Sequence, residues 1–186
     1  MNVKGTVFTT TKATVIEAFG DQRWNSFMTE LGQKEDYFKN TVIMSVTAVP
    51  LNKIIVFFSE MTREFFNNDK NSYLMFGMVG AKFALSQGGP YSSYLLTKDI
   101  KQFAEVVLPK LWMTYYDGGA TKAWVENNTV HVIITGLDIK NIYYEKLLMG
   151  YFKQAIRIFG RRSSATVVRS LMAGDNDIYF RFELKD

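Results

Sequence analysis

Cysteine is absent from the 186-residue chain. That absence removes disulfides, thiolate zinc sites, iron–sulfur clusters and cysteine nucleophiles together. Only one histidine is present, His131, so no metal cage of nitrogen and sulfur ligands can be assembled. Charge of one sign is also in short supply. Lys and Arg number 22 against 18 Asp and Glu, and the small excess is spread along the chain, whereas a dedicated nucleic-acid binder gathers more of it. Long apolar runs are missing too. The strongest, "IIVFF" at 54 to 58 and "YLMFGMVGA" at 73 to 81, fall well short of the roughly 20 residues that span a bilayer. The opening "MNVKGTVFTTTKATV" has no apolar core of a secretory leader, and the expectation is a cytoplasmic protein without a membrane span. Phosphate-cradling G-x-x-x-x-G-K-[ST], dinucleotide-binding G-x-G-x-x-G and nucleophile-elbow G-x-S-x-G motifs do not occur.

What is abundant is apolar bulk. Fifteen Phe, ten Tyr, nine Met and three Trp give a core that needs no covalent staple at this length. The methionines either fill irregular gaps or line an adaptable pocket. One domain over 1–186 is expected, with 1–116 mainly helical and 117–186 carrying the strands.

The first half has helical periodicity. Ala13, Ile16 and Phe19 mark a helix over 10 to 19, which Gly20 ends. Asp21 is placed to cap a second helix carrying Trp24, Phe27, Met28 and Leu31 and ending at Gly32. "QKEDYFKN" reads as a connection. Pro50 opens a helix to about Phe66 that buries Ile54, Ile55, Phe57, Phe58 and Met61, closed by "NNDKN". A further helix over 72 to 86 contains Gly77 and Gly80. Each costs about 1 kcal/mol relative to alanine in a helix interior, which close approach by another helix or by a ligand would explain, with simple sequence drift as the alternative. After the loop "SQGGPYSS", a helix from Lys98 to about Tyr116 must kink or divide at Pro109.

The second half changes period. "ATKAWVEN" and "TVHVIITG" flank an Asn127–Asn128 turn, and "SATVVRSLMAG" and "DIYFRFELK" flank Gly174–Asp175. In the last strand Ile178, Phe180, Phe182 and Leu184 alternate with Tyr179, Arg181, Glu183 and Lys185, one core face and one wet face. Between the pairs a helix from Ile142 to about Phe159 is apolar nearly all round, the pattern of an element buried on two sides. The fold class is therefore α+β, a helical N-terminal half packed on a C-terminal four-stranded antiparallel sheet in β-β-α-β-β order.

His131 shares a strand face with Ile133 and Thr135, opposite Val130, Val132 and Ile134, so alternation sets it on the less buried side as a structural or solvated residue. "GDND" at 174 to 177 suits a hairpin turn. Arg161 and Arg162 in "GRRSS" suit a helix C-terminus, with anion binding as the alternative.

Three stretches, "VKGTVFTTTKATVIEAFGDQRWNSFM", "LPKLWMTYYDGGATKAWVENNTVHVIITG" and "LMAGDNDIYFRFEL", resemble an uncharacterised bacterial family of myxobacterial type and about 180–200 residues. That family lies in the fold group of heme–NO-binding and 4-vinyl-reductase-like domains. The resemblance covers essentially the whole chain and implies helices and an α/β part enclosing an apolar pocket. Its functional residues do not carry over. Heme–NO-binding domains use a helix-borne histidine and a Tyr-x-Ser-x-Arg set, whereas here the sole histidine lies in a strand and no such set occurs. Many 4-vinyl-reductase-like domains place cysteines around the last hairpin, and this chain has none.

The function expected is a non-enzymatic cytoplasmic sensor or signalling domain. It binds a small apolar ligand, fatty-acid-like or aromatic, or a protein partner or second copy, with no cofactor and no heme. The ligand-binding residues expected are Met75, Gly77, Met78, Gly80, Phe83, Leu147 and Tyr151, between the glycine-containing helix and the helix joining the strand pairs. A structural adaptor with a filled core is the alternative. An enzyme using Tyr115, Tyr116 and Asp117 as acids and bases ranks behind both, because "YYDGG" is also an ordinary helix end.

Overall fold

A computed structural model describes residues 1–96 and 99–185, apart from the Leu95 side chain. The expected helix start at Lys98 and the last residue, Asp186, lie outside them. The backbone gathers into two compact units, residues 2–72 and the chain from Tyr73 onward together with Met1. The fold is α+β, with helices through the N-terminal half and a four-stranded antiparallel sheet in the C-terminal half.

In the first unit a two-stranded antiparallel ribbon, β1 (Asn2–Lys4) and β2 (Ala48–Pro50), brackets three helices: α1 (Thr6–Phe19), α2 (Asp21–Lys34) and α3 (Asp36–Asn40). The long helix α4 (Leu51–Phe65) follows. Leu51, Ile54, Phe57, Phe58, Met61 and Phe65 recur at helical spacing and are all buried, the single apolar stripe that makes a helix dock. Phe57 is fully buried and its ring meets those of Phe8 at 4.8 Å, Trp24 at 6.2 Å, Phe27 at 6.0 Å and Phe38 at 6.2 Å. Asn67 and Asn68, both at positive φ, end the helix region, as "NNDKN" implied.

Several expectations for this unit need correction. The first helix starts at Thr6 and buries Phe8 and Val15, while Ala13 is exposed. Gly20, not Asp21, is the N-cap of α2, and Gly32 lies inside that helix. The polar "QKEDYFKN" contains α3, held by Phe38 in the aromatic cluster and by a Glu35 carboxylate that accepts from the Tyr37 N–H. Ile55 is only half-buried.

The second unit opens with α5 (Ser72–Leu85) and a 3₁₀ turn, Ser92–Leu96. Then come α6 (Ile100–Gln102), a π-helical turn over Phe103–Val107 and α7 (Leu108–Tyr115). The expected division at Pro109 is thus achieved by widening the helix just upstream, where a proline would otherwise clash with the preceding carbonyls. Strands β3 (Ala120–Glu126), β4 (Thr129–Thr135), β5 (Arg162–Arg169) and β6 (Ile178–Lys185) form a sheet in the order β3-β4-β6-β5, all antiparallel, with α8 (Ile142–Ile158) between β4 and β5 in sequence. Asn127 and Asn128 both have positive φ, the geometry a two-residue hairpin demands. Val130, Val132, Ile134, Ile178, Phe180 and Phe182 have no exposure at all. Their alternate neighbours face outward, as the period-2 pattern requires. Helix α8 touches β5 and β6 on one side and α5 on the other, so it is buried on two sides as expected.

Candidate functional site

Close approach of α5 and α8 is written into two glycines. A Cβ on Gly77 would stand 1.9 Å from the Leu147 carbonyl oxygen and 2.7 Å from the Tyr151 nitrogen. A Cβ on Gly150 would stand 2.1 Å from the Leu74 carbonyl oxygen. Each helix therefore presents a glycine to the other's backbone, and the Tyr73 and Tyr143 rings stack at 5.4 Å beside the crossing. Of the two glycines singled out from the sequence, Gly77 is used up by this contact. Gly80 is different. A Cβ there would meet only the Tyr151 Cδ2, at 4.0 Å, an ordinary van der Waals contact, so this position has room for a methyl group.

The other expected lining residues divide in the same way. Leu147 is buried, Met78 and Tyr151 are half-buried, and Met75 and Phe83 are 40% and 47% exposed. The helix turns these last two outward. Gly80 and Tyr151 are brought together; Met75 and Phe83 are not brought to them.

Around Tyr151 lies a group of phenols that sequence periodicity did not single out as a set. Its ring meets Tyr115 edge-on at 5.5 Å, and Tyr115 meets Tyr91 edge-on at 5.4 Å. The Tyr116 and Tyr144 hydroxyls share a hydrogen bond of 2.6 Å. Burial pushes the phenols of Tyr115, Tyr116, Tyr144 and Tyr151 far above the ordinary tyrosine range. They stay neutral hydrogen-bond donors, which disqualifies Tyr115 and Tyr116 as bases near neutral pH, and Asp117 beside them is exposed. Tyr115 and Tyr151 are near enough to bear on each other's protonation. Burial is the larger cause for both; as each other's hydrogen-bonding neighbours they lower the pKa of Tyr115 against it and raise that of Tyr151 with it. Tyrosines recurring in "PYSSY", "TYYDG" and "NIYYEKLLMGYF" were the available signal, along with Gly150 inside the last of these.

His131 lies on the sheet's outer face as alternation required, yet it is only 9% exposed. Trp124 covers it, ring on ring at 4.7 Å and 7°, and its Nδ1 shares a 2.6 Å hydrogen bond with the Tyr179 hydroxyl. It is a structural histidine, not a solvated one. Burial, with Arg181 nearby, lowers its pKa against the opposing pull of Glu126. The hairpin residues of "GDND" are likewise structural: Asp177 holds Arg169 through both carboxylate oxygens, and the Asp175 carboxylate accepts from the Ser170 N–H at 2.8 Å. Arg161 donates to the Asn128 side chain at 3.1 Å.

No protein-family model and no curated protein matches the chain. Solved structures do. An H-NOX protein from S. oneidensis in the Fe(II)NO ligation state superposes with a TM-score of 0.73 at 14% identity, covering 98% of this chain and 99% of that one. The Fe(II) unliganded H-NOX protein from K. algicida gives 0.68 at 12% identity, covering 98% and 97%. The fold is H-NOX-like. An H-NOX domain from Shewanella oneidensis in the Fe(II)CO ligation state, solved by NMR, also gives 0.68 at 12% identity, covering 98% of this chain and 99% of that one. Iron is named for all three of these proteins. His131 is strand-borne, stacked on Trp124 and committed through Nδ1 to Tyr179. Among the described residues no group of three or more His, Asp or Glu side chains is placed to hold a metal, and no helix is long and apolar enough to cross a membrane.

Proposed function

We propose that this chain is a heme-free, non-enzymatic cytoplasmic sensor domain of a bacterial signalling protein, which takes a small apolar ligand, fatty-acid-like or aromatic, between α5 and α8. The observation that carries the reading is that a side chain begun at Gly80 would meet only the half-buried Tyr151 ring, at ordinary contact distance, one turn from Gly77, where backbone closes the crossing. Gly80, Tyr151, Met78 and Leu147 form the wall, and Gly77 sets the helix separation. Sensor function by ligand binding suits an H-NOX-like fold whose described residues supply apolar and phenolic walls. A binding site built this way stabilises the fold by mass action when it fills.

The experiment is thermal denaturation with fatty acids and small aromatics. Wild type should gain several degrees with at least one of them, and Gly80→Leu should fold normally and lose the gain. If wild type shows no shift with any probe, the site is not a ligand site. A second reading, a protein-interaction adaptor with a filled core, is favoured by the outward-facing Met75 and Phe83 and would then lead.

A further inference from the structure

Residues 41–47 join α3 to β2, and their side chains run against what a surface turn needs. The Thr47 N–H donates to the Met44 carbonyl at 3.0 Å, closing a turn with Ser45 and Val46 at its centre. Such positions favour Gly, Pro, Asn, Asp or Ser, which suit the bend and tolerate water. Here Val42, Met44 and Val46 alternate along the segment and are 83%, 59% and 75% exposed. Apolar side chains projected into water contribute nothing to the fold. The backbone beneath them is nevertheless fixed. The Gly5 and Thr6 N–H groups donate to the Thr47 and Ser45 carbonyls at 2.7 and 3.0 Å, and the Thr6 hydroxyl donates to the Ser45 carbonyl at 3.0 Å. The Met44 N–H donates to the Thr47 hydroxyl at 2.9 Å. A Cβ on Gly5 would stand 2.0 Å from the Met44 carbonyl oxygen, so a glycine is what lets the turn seat against the start of α1.

Charge around this turn has one sign. Segments 1–16 and 37–59, which hold both ribbon strands and the turn, contain no Asp or Glu. Their lysines are Lys4, Lys12, Lys39 and Lys53. Lys53 pairs with Glu35 at 2.8 Å, and the other three make no ion pair among the described residues. Lys4 lies opposite Ala48 in the ribbon, and Lys39 is in the last turn of α3. Lys12 sits one helical turn beyond Thr9, whose hydroxyl is 3.4 Å from that of Ser45.

The geometry points to residues 42–46 as a peripheral membrane contact, with Val42, Met44 and Val46 entering the interfacial layer of an anionic bilayer and Lys4, Lys12 and Lys39 facing its headgroups. Two features select lipid as the occupant. Three projecting side chains on one segment fall far short of the roughly 800 Å² per partner that a specific protein interface buries, whereas a bilayer surface asks for no matching shape. The hydrogen bonds from Gly5, Thr6 and Thr47 already satisfy backbone groups that would otherwise lose water on entering the interface. A small apolar insertion and a few cations are each weak alone and add to a reversible attachment.

Co-sedimentation of the full chain with vesicles of phosphatidylcholine, alone or with about 30% phosphatidylserine, tests this. Wild type should bind the anionic vesicles about 100-fold more tightly, about fivefold for each of three lysines, and lose most of that preference in about 0.5 M salt. Lys39→Gln should lose about fivefold on the anionic vesicles. Val42→Ser combined with Val46→Ser should lose about tenfold on them while melting at the wild-type temperature. Because the chain has no cysteine, a polarity-sensitive dye on Met44→Cys reports from the turn alone, and its emission should shift to the blue on anionic vesicles. Failure of wild type to sediment with anionic vesicles overturns the inference. So does binding without a blue shift, which puts the contact on another face. Self-association of wild type in sedimentation velocity, abolished by the double serine variant, would also overturn it, since a second copy would then cover the turn.

Discussion

Residues 2–72 bury their bulk as rings against rings, with Phe57 at the centre and Phe8, Trp24, Phe27, Phe38 and Phe58 around it. Their buried hydroxyls find partners within the unit: Thr6 donates to the Ser45 carbonyl at 3.0 Å, and Thr62 pairs with Ser72 at 3.3 Å. From Tyr73 onward the arrangement is different. Helices touch backbone to backbone through Gly77 and Gly150, phenols gather behind them, and buried oxygens go without hydrogen bonds: Thr121 Oγ1, Glu145 Oε2 and Ser163 Oγ. Among the described residues every buried side-chain oxygen of that kind lies in this second unit. The first unit is finished as a folded object. The second keeps unsatisfied hydrogen-bonding capacity.

The contrast can be broken most severely at α8. Leu148 is 4% exposed and Phe152 3%, so Leu148→Asp or Phe152→Asp buries an unpaired charge and should cost on the order of 4 kcal/mol or more. Urea unfolding checks it, and near-native midpoints would mean that α8 is not buried on two sides. In the first unit Phe57→Ala should cost about 3–5 kcal/mol, the usual range for deleting a buried aromatic ring, and chemical denaturation should show a loss on that scale. Next comes the sharpening pair in α5. Gly77→Ala drives a methyl into a carbonyl and should cost about 2–3 kcal/mol, whereas Gly80→Ala should be neutral or raise stability by up to about 1 kcal/mol through helix propensity. Equal effects of the two, measured by melting, would erase the distinction between the closed crossing and the roomier position.

The smallest effect belongs to His131. Its pKa in the fold lies below the unfolded value, so the unfolded chain binds the proton more readily. The associated stability is present above about pH 6.5 and declines as pH falls through the folded pKa. Unfolding midpoints between pH 7.5 and 5 should show this slope, and His131→Gln should flatten it without changing metal content.

How far the fold could be read from residues depended on the length of the repeating pattern. Strand β6 carries four periods of alternation and was legible to the residue, and so was the Asn127–Asn128 turn, where two consecutive left-handed residues have few competitors. Helix α4 was legible from its stripe. Strands β1 and β2, three residues each, are too short for any period to emerge and are held only by pairing with each other. Helix α3 hid inside "QKEDYFKN" because one buried ring, Phe38, anchors it where periodicity would mark a longer helix. In α1 the threonine run masked the face: Thr6 and Thr10 are buried while Ala13 is not. The close approach of α5 and α8 was legible, since glycines inside one helix announced it. It was not legible in its detail. Which glycine meets backbone and which has room for a methyl group depends on the crossing geometry, and so does the outward turn of Met75 and Phe83.

The crossing of α5 and α8 has one more implication, in terms of degrees of freedom. Where side chains meet, a substitution can be absorbed by a change of rotamer, and a surface of that kind tolerates variation. Where Gly77 meets the Leu147 carbonyl and Gly150 the Leu74 carbonyl, there is no torsion left to turn. Room for sequence change is therefore distributed around α5 very unevenly, broad on the side of Met75 and Phe83 and close to nil at Gly77, where the helix touches the α8 backbone.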